Sequence, residues 1–390
     1  MSLLLHLLLL AFFASSPLAV ADQYRVTSFG AKPDGSTDST QAFLAAWRHA
    51  CGSASPATMY VPSGRFLVKN VEFQGPCSNV ATTVLIDGTI VAPSDYSAMD
   101  GSKNWLMFEH VRGVKVLGGV LDGQGSRLWS CKSSGSGCPK GATSLEFSNS
   151  NDIEIGGLSS QDSQMFHIVI NGCENVKVQG VKVSAPGNSP NTDGIHVQAS
   201  THVTILNSKI GTGDDCISVG PGTTNLWIET VACGPGHGIS IGSLGKESDE
   251  AGVQNVTVRS ATFFGTQNGV RIKTWGRPSN GFVRNVFFQN AFMTNVENPI
   301  LIDQNYCPGE SDCPNQSSGI RISDVTYQSI HGSSATEVGV RFDCSRTYPC
   351  TGIQMEDVKL TYRNHPAEAS CINADGSASG FLQPSSCLKS

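Results

Sequence analysis

The sequence has few charged residues and no excess of basic ones. Charged residues make up 15% of the 390-residue chain, with 26 Lys and Arg against 32 Asp and Glu, so the formal net charge is −6. Such an acidic chain is a poor candidate for general nucleic-acid binding, which depends on basic side chains that neutralise phosphates. Binding of a polyanionic substrate would instead require a local basic patch.

Long apolar runs are missing after the first segment of the chain. A membrane-spanning helix needs about 20 consecutive apolar residues, and no later stretch is that long. Residues 1–21 contain no Asp, Glu, Lys or Arg and end in Ala19-Val20-Ala21. A short apolar stretch followed by small residues is typical of a secretory signal, although the usual basic residue at its start is absent. We therefore predict a signal peptide over residues 1–21 and a secreted mature chain of residues 22–390.

Cysteine spacings typical of zinc sites are also missing, since no Cys-x-x-Cys pair or Cys/His spacing suggests one. In a chain predicted to be secreted, the 13 cysteines indicate disulfides instead. Neighbours in sequence could form local bridges between Cys51 and Cys77, Cys131 and Cys138, Cys216 and Cys233, Cys307 and Cys313, Cys344 and Cys350, and Cys371 and Cys387. Cys173 would then be left over, and the apolar run that contains it favours a buried, unreactive thiol.

Segments with helical periodicity are scarce. Residues 39–50 form one amphipathic segment, which carries Phe43 and Trp47 on one face and can be capped by Asp38 or Ser39. From about residue 80 onward, no segment of helical period is long enough to predict a helix.

The rest of the chain repeats short β-type runs. A first set has the form Asn-Val-x-Val and covers residues 152–155, 175–178, 202–205, 225–228 and 255–258. A second set alternates with it and covers residues 195–197, 217–219, 239–241, 270–272, 300–302 and 340–342.

The spacing of these runs predicts a solenoid. The intervals from Ile195 to Ile217 and from Ile217 to Ile239 are both 22 residues, and the next two are 31 and 30. Repeats of this size, with several short strands and no helix, indicate stacked coils that bury their faces on one another. The signature of a leucine-rich repeat is absent, and an ordinary β-sandwich is the alternative. We expect one all-β domain whose N-terminal helix covers the open end of the first coil.

Aligning the second set of strands brings charged residues into register. The aligned residues and their neighbours are Asp193, Asp214, Asp215, His237, Arg271 and Lys273. Equivalent residues of stacked strands lie about 4.8 Å apart, so these side chains should collect on one strip of the surface. Crowding of three carboxyl groups raises at least one pKa, because like charges disfavour joint ionisation. A protonated acid beside ionised carboxylates can perform acid–base cleavage of a glycosidic bond.

These acids have two other interpretations, a turn and a calcium site. Asp and Asn before strands often only form turns, as Asn175 and Asn225 are expected to do, but that does not explain six charged residues in one register. Clustered carboxylates can bind calcium, but the histidine and the two cations beside them would repel a metal ion. We therefore expect neither a metal nor another cofactor.

The motifs around these residues resemble those of polygalacturonases. In the order of that family, they are Asn191-Thr192-Asp193-Gly194, Gly213-Asp214-Asp215, Gly236-His237-Gly238 and Arg271-Ile272-Lys273. Residues 233–240 are similar to the plant members, and residues 29–38 resemble the N-terminal signature of the family. The resemblance thus covers nearly all of the mature chain.

This resemblance implies a right-handed parallel β-helix that hydrolyses α-1,4-linked galacturonic acid in polygalacturonic acid or pectin, with inversion. It assigns Asp214 as the general acid that protonates the leaving oxygen. Asp193 and Asp215 would hold and activate the attacking water, and His237 would tune the acid.

The resemblance also assigns substrate contacts. Arg271 and Lys273 would bind substrate carboxylates, the former through a bidentate fork and the latter as a point charge. Tyr306 and Asn191 would complete the binding cleft.

Two other functions are alternatives for this sequence. One is hydrolysis of a related pectin backbone of the rhamnogalacturonan type, and the other is a non-catalytic β-helix that binds wall polysaccharide. For a polygalacturonase we expect a monomer in the cell wall, endo rather than exo action, and a proteinaceous inhibitor as a candidate partner. Glycosylation sequons occur at Asn255 and Asn315.

Overall fold

A computed structural model describes residues 22–99, 101–135, 137–310 and 313–389. The predicted signal peptide, residues 1–21, lies outside the described residues. No helix within these ranges is long and apolar enough to cross a membrane.

In the described ranges the chain winds into stacked coils built from two sheets, whose neighbouring strands are parallel except for one short antiparallel pair. The smaller one, the front sheet, has eleven strands. They are Val71–Gln74, Asn104–Glu109, Thr143–Ser148, Ile168–Asn171, Ile195–Gln198, Ile217–Val219, Ile239–Leu244, Asn268–Trp275, Asn298–Tyr306, Val338–Asp343 and Glu368–Ile372.

The larger sheet has twenty-three strands in the same ranges and contributes two columns. The back column comprises Asp22–Arg25, Ala57–Val61, Thr82–Ile86, Val114–Leu117, Asn151–Gly156, Glu174–Gln179, Thr201–Leu206, Thr224–Glu229, Val253–Arg259, Phe282–Val296, Arg321–Ser334, Cys350–Tyr362 and Ala374–Gln383. The side column comprises Asp34–Asp38, Arg65–Leu67, Thr89–Val91, Val120–Asp122, Ser159–Gln161, Lys182–Ser184, Lys209–Gly211, Ala232–Cys233 and Thr262–Phe264, and the short strand His365–Pro366 completes the sheet.

The strand register confirms the predicted repeat. Ile195 pairs with Ile217, Ile217 with Ile239, and Ile239 with Val270. All four side chains are buried in the core that the coils share. The uneven intervals in sequence leave this register unchanged, because the extra residues lie in the turns. The fold is the predicted right-handed parallel β-helix, the hand that parallel crossover connections nearly always take.

A ladder of asparagines explains the Asn-Val-x-Val pattern. Asn175, Asn225 and Asn255 have φ angles of 57°, 54° and 56°, in the left-handed region that asparagine tolerates better than most residues. Asn255 donates a side-chain hydrogen bond to Asn225 at 3.0 Å and accepts one from Asn285 at 3.3 Å. The expectation that Asn175 and Asn225 form turns before strands is wrong, because both lie inside strands, as does Asn255. Glycosylation of Asn255 would therefore disturb a rung of this ladder.

The predicted N-terminal helix is present as helix α1, Thr40–Gly52. Its N-cap residue is Ser39, which makes no capping hydrogen bond through its side chain, and Asp38 Oδ1 accepts a hydrogen bond of 3.0 Å from the backbone N–H of Thr40. Trp47 is buried and donates its indole N–H to the carbonyl of Gln74 at 3.0 Å. The helix therefore covers the first coils with its apolar face, as expected.

A second helix, α2, spans Ser126–Ser134, and the prediction of no helix after residue 80 is wrong here. Its buried side chains, Leu128 and Trp129, are adjacent in sequence and do not repeat at helical spacing. The disulfide between Cys131 and Cys138 supports its last turn. Because the helix has so little apolar face, its sequence shows no helical period.

All six predicted disulfides are confirmed in the described part of the chain. The pairs are Cys51–Cys77, Cys131–Cys138, Cys216–Cys233, Cys307–Cys313, Cys344–Cys350 and Cys371–Cys387. Cys173 is free and buried, and its burial raises the pKa of the thiol to about 11. A thiol that stays protonated is unreactive, as predicted.

Tyr327 provides a test of core packing. It is fully buried, its ring centroid lies 5.3 Å from that of Phe288 and 5.5 Å from that of Phe342, and its hydroxyl has no hydrogen-bond partner among the described residues. We expect Tyr327→Phe to raise the free energy of unfolding by about 1 kcal/mol, because it removes an unsatisfied buried hydroxyl. Denaturant unfolding measures this, with the half-exposed Tyr348→Phe as the control. A loss of stability would contradict the expectation.

Candidate active site

The front sheet carries a cleft of about 280 Å³ in which most of the predicted site residues meet. The predicted residues that line it are Asn191, Asp193, Asp214, Asp215, Lys273 and Tyr306. The other two, His237 and Arg271, contact the acids of the cleft.

Asp215 lies at the centre of a hydrogen-bonded network. It is 1% exposed, and its Oδ1 accepts hydrogen bonds from Arg271 at 2.8 Å and from the Ser240 hydroxyl at 2.9 Å. Its Oδ2 accepts from Lys273 Nζ at 2.8 Å. Burial by itself would raise the pKa of Asp215, but the charges of Lys273 and Arg271 and these hydrogen bonds outweigh it and lower the pKa. Asp215 is therefore held ionised.

Arg271 and Lys273 are more buried than the sequence predicted. The pattern placed them on an outward-facing strip, and the structure buries both against Asp215. The ring of Tyr306 covers them, with its centroid 5.1 Å from Lys273 Nζ and 6.0 Å from Arg271 Cζ. Such cation–π contacts stabilise a buried positive charge. Their contacts with substrate carboxylates stay a prediction.

Asp193 has the opposite electrostatic state. It is 6% exposed, and burial together with the negative charges of Asp214 and Asp215 raises its pKa well above the ordinary value of 3.8. The sequence predicted that crowding would raise the pKa of at least one carboxyl group. The structure identifies Asp193 as such a group.

Asp214 and His237 are the accessible members of the cluster, with side chains 19% and 34% exposed. Asp214 Oδ1 accepts a hydrogen bond of 2.8 Å from the backbone N–H of Asp215 and lies 3.1 Å from His237 Nδ1. Gly238 follows the histidine with a φ angle of 79°, and a Cβ at this position would lie 2.0 Å from the carbonyl oxygen of Asn268. Only glycine therefore permits the turn that presents His237.

Asp214, Asp215 and His237 could each offer one donor atom to a metal ion, since these atoms lie within 4.8 Å of one another. Both oxygens of Asp215 are already paired with the cations Arg271 and Lys273, however. A metal would have to displace these cations or be repelled by them, so the donor set does not suit a divalent ion.

His196 is a site residue that the sequence reasoning missed. It lines the cleft, where its Nδ1 lies 2.7 Å from the Ser218 hydroxyl and its Nε2 lies 3.1 Å from Gln198 Oε1. Burial lowers the pKa of His196, so the ring is neutral. A signal was available in the repeat, because His196 is in register with Ser218 and, through it, with Ser240.

The fold and the cleft together define a class of protein: a parallel β-helix that presents a cluster of carboxyl groups on its front sheet. Comparison with known families agrees with this class, since the model of glycosyl hydrolases family 28 matches residues 51–386. The chain belongs to this family and is a glycoside hydrolase.

Individual relatives and solved structures agree with this assignment. The chain is 63% identical to a polygalacturonase of Prunus persica over 382 residues, which are 98% of this chain and 97% of the relative. It is 42% identical to an exopolygalacturonase of Platanus acerifolia, over 93% of this chain and 96% of the relative. In structure it is similar to an endo-xylogalacturonan hydrolase of Aspergillus tubingensis, with a TM-score of 0.78 at 24% identity over 90% of this chain and 97% of the other.

The raised pKa of Asp193 has a consequence for stability. A carboxyl group whose pKa is higher in the folded than in the unfolded state destabilises the fold as the pH rises through these values. We therefore expect Asp193→Asn to be more stable than the wild type at pH 7, by on the order of 1 kcal/mol, and equally stable below the ordinary pKa of 3.8.

Denaturant unfolding between pH 3 and pH 7 tests this expectation. Glu337→Gln, at an exposed position, is the control for removal of one negative charge. A stability difference that does not grow with pH would show that Asp193 is ionised without penalty.

Proposed function

We propose that this chain hydrolyses internal α-1,4-galacturonosidic bonds of polygalacturonan, with inversion, as a secreted cell-wall enzyme. The observation that carries the proposal is the division of protonation states in the cleft. Asp215 is held ionised by Arg271 and Lys273, whereas burial and like charges favour a proton on the neighbouring Asp193. A cluster that keeps one proton can supply both an acid and a base to a glycosidic bond.

In the proposed mechanism Asp214 protonates the leaving oxygen. Its side chain is the most exposed of the three carboxyl groups, so it is the one that a glycosidic oxygen can reach. Because Asp193 is favoured as the protonated group of the free enzyme, the acid role of Asp214 requires the shared proton to move to it in the complex. His237, beside Asp214 Oδ1, stabilises the carboxylate that remains after transfer.

The attacking water is held by the other two acids. Asp215 is ionised and fixed by its network, so it can orient the water and accept its proton together with Asp193. Ser240 acts as a positioning residue, because it bridges Arg271 and Asp215. The water oxygen forms a bond to the anomeric carbon as the glycosidic C–O bond breaks. The water gives one proton to the carboxylates of Asp215 and Asp193, and the leaving oxygen takes the proton of Asp214, so each product carries a new hydroxyl group.

Substrate binding is assigned to the positive and polar residues at the cleft surface. Lys273, Tyr306 and the exposed Asn191 line it, so an ammonium, a hydroxyl and an amide face the sugar. Arg271 is proposed to act chiefly by fixing Asp215, to which it donates at 2.8 Å. A substrate carboxylate next to Lys273 would interact with the same ammonium group that already contacts Asp215.

Internal cleavage is supported by the extent of the cleft. Its lining runs from Phe166 to Tyr306 and so crosses six successive strands of the front sheet. At about 4.8 Å per coil this is roughly 24 Å, which is long enough for several sugar units, with one coil on the Phe166 side of the acids and the rest on the Tyr306 side. Because the lining continues on both sides of the acids, the cleft suits a polymer that extends past the bond to be cleaved.

The proposed setting is extracellular. Six disulfides in the described residues suit an oxidising compartment, in agreement with the predicted signal peptide. We propose that the enzyme acts as a monomer in the cell wall, with a proteinaceous inhibitor as its candidate protein partner.

Replacement of Asp214 tests the function directly. We expect Asp214→Asn to lower kcat on polygalacturonic acid by about 10²- to 10⁴-fold, because the proton donor is lost, while binding of the polymer is largely retained. The measurement is chromatographic sizing of products at mildly acidic pH, beside the wild type and the charge control Glu337→Gln.

Each outcome of that measurement has a definite meaning. Oligomers of mixed length from the wild type support endo action, and monomer alone would make the enzyme exo-acting. A folded wild type that releases no product from this polymer would overturn the proposal and favour a rhamnogalacturonan backbone or binding without catalysis.

Lys273 should set the acid limb of the pH–rate profile. Its charge helps to lower the pKa of Asp215, so removing it raises that pKa, and ionised Asp215 is then present only at higher pH. We expect Lys273→Met to move the acid limb of kcat/KM upward by about one pH unit. The control is Lys177→Met, an exposed lysine of the back column. An unmoved acid limb would refute the role of Asp215 as the ionised base.

A further inference from the structure

A second groove lies beside the active site, on the neighbouring side of the helix. It follows the side column from Ser159–Gln161 to Thr262–Phe264 and has a volume of about 450 Å³. We call it the side groove. Its floor is made of small residues that include Ala185, Gly211 and Ala232, which leave room for a ligand above them.

Two lysines stand directly above each other in the side groove. Lys182 pairs with Lys209 on the next coil, so their backbones are about 4.8 Å apart, and both side chains are exposed. Like charges directly opposite one another destabilise a sheet. None of the ion pairs in the described ranges includes either lysine.

Charges on the back column are arranged differently. Lys115 is in register with Glu154 and forms an ion pair with it at 2.9 Å. Glu229 is likewise in register with Arg259, at 3.8 Å. The chain also contains more acidic than basic residues, so a partner of opposite charge would be common by composition. The uncompensated lysine pair is therefore suited to an anion from outside the chain.

An exposed aromatic ring completes the side groove. Phe264 lines it and is 52% exposed, although a side chain of this size is usually buried. A flat apolar ring beside stacked cations fits a ligand that has both apolar faces and negative charges. Sugar rings that carry carboxylates have these properties, whereas a plain inorganic anion would not use the ring.

The side groove and the active-site cleft are connected through shared turns. Gly211 and Gly234 line the side groove, and Asp214 and His237 follow them by only three residues each. A polymer held in the side groove therefore lies on the face that adjoins the acids. The two sites differ in their residues, because none of the side-groove residues lines the cleft.

We propose that the side groove is a second binding site for an acidic polysaccharide, held by Lys182, Lys209 and Phe264. The ligand is a segment of the same uronic-acid polymer that the active site cleaves, so this inference rests on the proposed function. Occupation of the side groove keeps a long chain on the enzyme between cuts. Short oligomers that fill only the active-site cleft do not reach the side groove, so it does not raise their affinity.

The experiment compares a long and a short substrate. We expect Lys182→Gln/Lys209→Gln to weaken binding of long polygalacturonate by about three- to tenfold at low salt, measured in the Asp214→Asn background. The same pair of changes in the active enzyme should raise KM for the polymer and leave kcat, and both constants for trigalacturonate, unchanged. The control is Lys32→Gln/Lys177→Gln, which removes two exposed lysines elsewhere.

The aromatic contact is tested separately. Phe264→Ser should weaken binding of the long polymer at high salt as well, whereas Phe287→Ser, at another exposed phenylalanine, should not. If the lysine variant and its control bind the long polymer with equal affinity, the proposal that the side groove is a polymer-binding site is overturned. A wild type that binds the polymer without cleaving it would overturn only the proposed function, so the two failures can be told apart.

Discussion

The rise from one coil to the next is the constraint on which the whole structure depends. Parallel strands in register repeat every 4.8 Å or so, and each coil can bury its apolar side chains only on its neighbours. The same rise brings Asp193, Asp215 and His237 together, because they precede strands that stack in register. Core and cleft are therefore products of one periodicity, and a slip of one residue would disrupt both.

The cleft shows how this fold tolerates charges that would otherwise be costly. Asp215 is almost completely buried, yet three donors from two later coils satisfy it. Among the described residues no cation forms an ion pair with Asp193, and the charge of Lys273 offsets its burial only in part, so Asp193 favours its neutral form. The pKa values of these two nearby carboxyl groups thus shift in opposite directions because the cations of a later coil pair with only one of them. Keeping such buried charges in the site lowers the stability of the fold.

The repeat, the helix α1 and the disulfides could be predicted because each leaves a local mark in the sequence. Regular spacing marks the coils, and an apolar face that includes Trp47 marks the helix. Helix α2 left no such mark, since its two buried residues are adjacent. The burial of Lys273 and the neutral state of His196 depend on side chains from several coils, and spacing in one dimension does not record how these pack.

The coils of this molecule differ in length, and the turns between the strands hold extra residues in the longer coils. Successive front strands are separated by 22 residues in one part of the chain and by 31 in the next, yet Ile217 pairs with Ile239 and Ile239 with Val270, and the register shifts only after Ile241. Loop length and strand position are thus separate variables. The turns between coils can therefore differ in length while the strand register, and with it the alignment of the acids, is kept.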